Sequence, residues 1–338
     1  MATITLIGGN IVGTPTSGAD VVTSTDLVSD PRDFGSFLYF LKTGKGDDTI
    51  DLTKSFTGST HNIWTGAGDD TVTGGRGNFY DGSGNDTYRL TGTAFIFAGA
   101  GDDIYDGGKG LPDDLGGDFA SFEFKPSESG LQRQHTQDLT INLAKTKAQN
   151  LGIFDSDTFI SIESLHGGGG DDKFYGTDAA NIFRSAGGND RLWGRGGNDY
   201  LQGGDGSDRL NGGKGADEYN LFEFNLAARD TVVIGALADL GRTITDTVLN
   251  FDPGKTKTDD RIDLSDIDTS RAKGDQKFTW LGSDKFGTDA VWEIRLTTKK
   301  LGTVASTIVQ IDTDSDAKAE YTIMIENVIG LHKYDFIL

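Results

Sequence analysis

From Gly167 to Asn220 a large apolar side chain returns every nine residues, at Phe174, Phe183, Leu192, Leu201, Leu210 and Tyr219. Cut in this phase, the chain reads GGGGDDKFY (167–175), GTDAANIFR (176–184), SAGGNDRLW (185–193), GRGGNDYLQ (194–202), GGDGSDRLN (203–211) and GGKGADEYN (212–220). A period of nine fits neither an amphipathic helix nor one alternating strand. Positions 7 to 9 predict a short strand in which only the middle residue faces inward. One apolar residue in nine cannot build an ordinary core, but stacked turns would align these residues into a continuous column. The expected fold is therefore all-β, a parallel solenoid with two units, or 18 residues, in each coil.

The polar positions carry the chemistry. Position 4 is glycine in five of six units, and position 6 is aspartate in five: Asp172, Asp190, Asp199, Asp208 and Asp217. Aspartate offers a hard anionic oxygen, which suits calcium better than zinc or copper. Glycine permits positive φ and leaves turn carbonyls open to an ion. The candidate calcium site thus comprises these aspartates with Gly168, Gly170, Gly188, Gly197, Gly204, Gly206, Gly213 and Gly215. Ions are expected between vertically adjacent turns, shared by pairs such as Asp190 with Asp208 and Asp199 with Asp217. Asn181 replaces the aspartate of its unit and should weaken its sites.

A looser block lies upstream. TGKGDDTID (43–51), TGAGDDTVT (65–73), DGSGNDTYR (81–89) and AGAGDDIYD (98–106) fit the pattern, with Asp48, Asp70, Asp86 and Asp103 as candidate ligands and Ile50, Val72, Tyr88 and Tyr105 facing inward. GGRGNF (74–79) reads as an imperfect unit with Phe79 in place of the aspartate. Between the blocks, 118–122, 139–143 and 159–165 alternate as strands, and Lys125–Gln137 reads as a polar excursion loop.

The nonapeptides resemble the G-G-x-G-x-D-x-U-x repeat of RTX proteins, a calcium-binding β-helix repeat. The segment DTVLNFDPGKTKTDDRIDLS (246–265) is similar to the stretch that follows the roll in serralysin-type RTX proteins, with extra residues in its turn. The chain ends Asp335-Phe336-Ile337-Leu338, which looks like the uncleaved C-terminal signal of proteins exported by type I (ABC transporter) machinery. The resemblance implies a parallel β-roll/β-helix followed by a small C-terminal β-sandwich, several bound calcium ions and a secreted, bacterial, extracellular location. The expected organisation is a cap (1–35), an irregular repeat block (36–110), non-binding coils with the excursion loop (111–166), a regular roll (167–225) and a C-terminal domain (226–338). Asp312, Asp314 and Asp316 resemble the start of a D-x-D-x-D calcium loop, but Ala317 replaces its turn glycine, and a hairpin turn fits better.

Charge narrows the function classes. There are 31 Lys+Arg against 52 Asp+Glu, a formal charge of −21. A nucleic-acid binder needs cations to displace phosphate counterions, so that class is excluded. No apolar run is long enough for a membrane helix. The N-terminus lacks the basic and apolar regions of a Sec-type leader. Cysteine is absent, which removes disulfides and thiolate sites. The four histidines are scattered, and H-E-x-x-H, G-x-S-x-G and P-loop patterns are missing, so no enzyme is expected. Three roles stay open: a non-catalytic surface, matrix or adhesion protein; a membrane-active pore former; and a polysaccharide-active enzyme or its glycan-binding accessory. Trp64, Tyr80, Tyr88, Phe95 and Phe97 are the aromatics that a glycan groove would use.

Overall fold

The computed structural model describes residues 3–7, 10–12, 18–24, 38–53, 60–108, 118–123, 135–224, 228–235, 246–256, 258–267, 278–287, 292–301, 304–313, 317–319 and 321–338. Among them the chain is all-β, with one short 3-10 turn at Lys333–Asp335. Among the described residues no helix is long and apolar enough to cross a membrane. The chain divides into two compact units, Met1–Gly169 and Gly170–Leu338.

The first unit is a two-faced parallel solenoid. On one face Val21–Ser24, Thr49–Asp51, Thr71–Thr73, Thr87–Arg89, Ile104–Asp106 and Asp155–Ile160 pair in parallel. Thr3–Ile7 joins this face beside Val21–Ser24 and turns back through the antiparallel Asn10–Val12. On the other face Leu38–Lys45, Thr60–Ala67, Gly77–Tyr80, Ala94–Phe97, Phe119–Ser121 and Ser164–His166 pair in parallel. The register lines up one inward column per face. Ile50, Val72, Tyr88, Tyr105 and Phe159 form one column; Leu41, Ile63, Phe79, Ile96, Ala120 and Leu165 form the other. All are buried. Phe79 does not stand in for an aspartate in a defective unit. It is the inward residue of a strand on the second face, because Gly74-Gly75 turn the chain there.

In the second unit Lys173–Tyr175, Arg191–Gly196, Arg209–Lys214, Thr231–Val233, Arg261–Asp263 and Phe336–Ile337 make one parallel face. Ile182–Arg184, Tyr200–Gln202, Glu218–Asn220, Asp246–Leu249 and Tyr321–Ile325 make the other. Partners in the regular stretch are 18 residues apart, as in Phe174 with Leu192 with Leu210, and Phe183 with Leu201 with Tyr219. Val232, Ile262 and Phe336 extend the first column; Val248 and Ile325 extend the second.

The C-terminal strands differ from a β-sandwich set apart from the roll. Two sheets do face one another here, but they are the roll's own sheets carried onward. Among the described residues of this region, only the Tyr321–Ile325, Val304–Asp312 and Glu293–Leu301 meander is antiparallel, with Thr279–Gly282 at its edge. The physical reason is local. Asp230-Thr231-Val232, Asp246-Thr247-Val248 and Asp260-Arg261-Ile262 keep the aspartate and inward residue of a nonapeptide at the same spacing. The joint between turns therefore survives after the glycines are gone.

Candidate metal centre: a ladder of buried carboxylates

The nonapeptide strands, Ile182–Arg184 with its Asn181 excepted, and several others are entered through an aspartate two residues before the inward residue, and these aspartates form ladders. In the second unit the backbone N–H of Asp172 donates to Oδ1 of Asp190 at 2.7 Å, and that of Asp190 to Oδ1 of Asp208 at 2.7 Å. The ladder continues from Asp208 to Asp230 and from Asp230 to Asp260, both at 3.0 Å. On the opposite edge Asn181 N–H donates to Asp199, Asp199 to Asp217 and Asp217 to Asp246. In the first unit the rungs run from Asp20 to Asp48, Asp70, Asp86, Asp103 and Asp157. Asp118 holds the N–H of Ala94 in the same way at 2.7 Å.

A second ladder runs the other way. At position 5, Asp69 N–H donates to Asp47, Asn85 N–H to Asp69 and Asp102 N–H to Asn85. Asn189 N–H donates to Asp171, and Ser207 N–H to Asn189. Position 6 reaches back one coil and position 5 reaches forward one coil, so each turn is clamped from both sides.

The glycines fall into two jobs. Gly188, Gly197, Gly204, Gly206, Gly213 and Gly215 have positive φ, where an L side chain is strained. Gly168 and Gly170 do not; a Cβ on Gly168 would strike the His135 ring. Glycine at position 1 leaves room for the ladder carboxylate itself: a Cβ at Gly194, Gly203 or Gly212 would collide with Oδ2 of Asp199, Asp208 or Asp217.

The second carboxylate oxygen points to a cation. Oδ2 of Asp48, Asp70, Asp86, Asp157, Asp199, Asp208 and Asp230 is buried and has no hydrogen-bond partner. A buried anionic oxygen without a partner is costly unless paired with charge or a metal. Hard oxygen donors repeated at the turn glycines are the donor set that calcium takes. The residues present therefore fit calcium, and the position-6 aspartates with the neighbouring turn carbonyls would hold it.

Burial also acts on protons. It pushes the carboxyl of Asp70 up to about 7, that of Asp199 to about 8 and that of Asp157 to about 9. Asp86, Asp103, Asp208 and Asp230 are likewise raised, by burial first and neighbouring carboxylates after it. An unfolded aspartate titrates near 3.9. Between about pH 4 and 8 the calcium-free folded chain thus binds more protons than the unfolded one, and its stability rises as the pH falls. Calcium competes with those protons, so its affinity falls in the same direction. The expected result is that calcium-stripped protein shows more β signal by circular dichroism at pH 5 than at pH 8. A β signal that climbed with pH would contradict it.

The other candidate residues are dispersed. Tyr88 lies in the core column, while Trp64, Tyr80 and Phe97 stack face to face on the outer surface at 4.5 and 4.6 Å. Phe95 stacks on Phe119 at 4.3 Å. The ring faces that a sugar would need are largely taken by other rings. Asp312 is buried at a strand end, and Asp314 and Asp316 lie outside the described residues. Asp335 is buried and accepts N–H bonds from Gly254 and His332, and Phe336 and Ile337 pair with Ile262 and Asp263 as the last rung. Sequence reading missed Asp20, Asp118, Asp157, Asp230, Asp246 and Asp260 because it looked for glycine-rich turns. The tripeptide D-x-U, with U apolar, was the signal that would have found them.

The model of the RTX calcium-binding nonapeptide repeat matches four times, at residues 62–78, 95–110, 160–192 and 185–219. No curated protein matches the chain. Among solved structures, the solution structure of the AlgE6R3 subunit from the Azotobacter vinelandii mannuronan C5-epimerase is 23% identical, covering 49% of this chain and 77% of its own, with a TM-score of 0.19. A score that low supports no comparison of shape or role. The four matched segments fall on turns that present stacked carboxylates and positive-φ glycines, so these segments of the chain are RTX calcium-binding nonapeptide repeats.

Proposed function

We propose that this is an exported, non-catalytic calcium-binding protein that folds outside the cell and acts at a surface or in a matrix. The observation that carries the reading is the set of buried Oδ2 atoms without hydrogen-bond partners on position-6-type aspartates, at Asp48, Asp70, Asp86, Asp157, Asp199, Asp208 and Asp230. Calcium, when bound, supplies the positive charge that these oxygens lack. Without it, stacked carboxylates repel one another across successive coils, and the inward columns bury too little to compensate. A calcium-poor cytoplasm would leave the chain open enough to thread an exporter. Calcium-rich surroundings would then close the roll, with Phe336 completing an inward column. Each site contributes about 2.7 kcal/mol at a hundredfold excess of calcium over Kd. Several sites together match the roughly 5–15 kcal/mol stability of a domain.

Far-ultraviolet circular dichroism of the whole chain tests this. Calcium-stripped protein is expected to give a largely disordered spectrum at neutral pH, and millimolar calcium to convert it to β, with magnesium a poor substitute. A stripped sample that kept its full β signal and a cooperative melt would end the reading.

A further inference from the structure

One turn departs from all the others. At position 1 of the irregular block stand Thr43, Thr65, Asp81 and Ala98; the regular block has glycine or serine there. Position 1 lies against the ladder carboxylate, so Asp81 brings a third carboxylate to the pair Asp86 and Asp103. Ligand oxygens of Asp81, Asp86 and Asp103 lie within 4.8 Å of one another. Asp86 and Asp103 are each 1% exposed, and Asp81 is half-buried. Asp86 Oδ2 faces this cluster with no hydrogen-bond partner.

The surroundings hold the cluster in place. Tyr88 donates its hydroxyl to Asp81 Oδ1 at 3.0 Å. Tyr105 donates to Asp81 Oδ2 at 2.6 Å and lies 3.0 Å from Asp103 Oδ2. The N–H groups of Gly82 and Gly99 reach the same Asp81 carboxylate at 3.0 and 3.3 Å. These donors orient Asp81, while Asp86 sets its side chain against the Asp81 carboxyl and its second oxygen meets no N–H donor. Other ladder steps bring two position-6 side chains together, and this one adds a third acid from inside the coil. Asp81 and Asp86 also fall between the segments matched by the repeat model.

We propose that Asp81, Asp86 and Asp103 form one enclosed three-carboxylate site for a divalent, oxygen-seeking cation, oriented by the hydroxyls of Tyr88 and Tyr105. The greater negative charge makes it the tightest calcium site of the chain and the last to empty under a chelator. The inference rests on the calcium reading above.

The test is calcium stoichiometry and affinity of the full chain, by native mass spectrometry and chelator competition. The variant is Asp81→Thr, because threonine occupies the same position in the two preceding turns. It is expected to bind one ion fewer, or to lose the tightest calcium phase by at least tenfold, with the remaining phases unchanged. If Asp81→Thr does not recover β structure in calcium, Asp81→Asn, which keeps size and an acceptor oxygen, gives the same readout. Unchanged count and affinity in the folded variant would overturn the site and mean that Asp81 and Asp86 merely share a proton. A wild-type chain that bound no calcium at all would instead remove the broader reading.

Discussion

Replacing Gly206 by alanine is expected to be among the most damaging single changes in the regular roll. Gly206 sits at φ +134°, and a Cβ there would run into the backbone carbonyl of Gly188 one coil below. The backbone strain costs about 1–3 kcal/mol. Overpacking against a backbone that hydrogen bonds fix on both sides adds about 1–3 kcal/mol. Gly188 N–H already donates to Asp205 at 2.9 Å, so that turn cannot move aside without breaking the joint. Gly187→Ala is the control. Its Cβ would meet nothing closer than 3.7 Å, and the effect is expected within about 0.5 kcal/mol. Urea midpoints of both variants in saturating calcium measure the difference. Equal midpoints would show that the turns do not stack as closely as described.

The second large effect is expected at Tyr219. Its ring is fully buried between Leu201 and Val248 in one inward column, and its hydroxyl accepts the Gly212 N–H at 3.1 Å. Tyr219→Ala should cost about 3–5 kcal/mol, because flanking strands tied by parallel ladders cannot collapse into the space. Tyr219→Phe removes one hydrogen-bonding group and should cost only about 0.5–1.5 kcal/mol. In a stack where each coil touches its neighbours, the alanine variant should loosen adjoining rungs first. Hydrogen exchange would then rise at Tyr200–Gln202 and Asp246–Leu249 before the distant strands. Uniform exchange across the unit would argue for one indivisible core instead.

Both effects depend on features that differ in how far the sequence reveals them. The nine-residue spacing of Phe174 through Tyr219 requires stacked coils, because no other arrangement gathers so few apolar residues. The aspartate two places before each of those residues requires a row of acids. These were legible because the chain repeats them within an 18-residue coil. The irregular block was harder, since its coils lengthen to 22 residues and shorten to 16, and Phe79 could not be assigned to a face from spacing alone.

The sequence by itself determined that this chain is an all-β solenoid built on acidic, glycine-rich turns, because a strict local period repeats the same backbone geometry. Only the tertiary structure decided which carboxylates meet. Asp103 reaches Asp157 across 54 residues, and Asp81 closes on Asp86 and Asp103 from within the coil. Such contacts depend on how many residues each coil loops out before returning to the stack. That number follows from the packing of the whole unit and not from any one repeat.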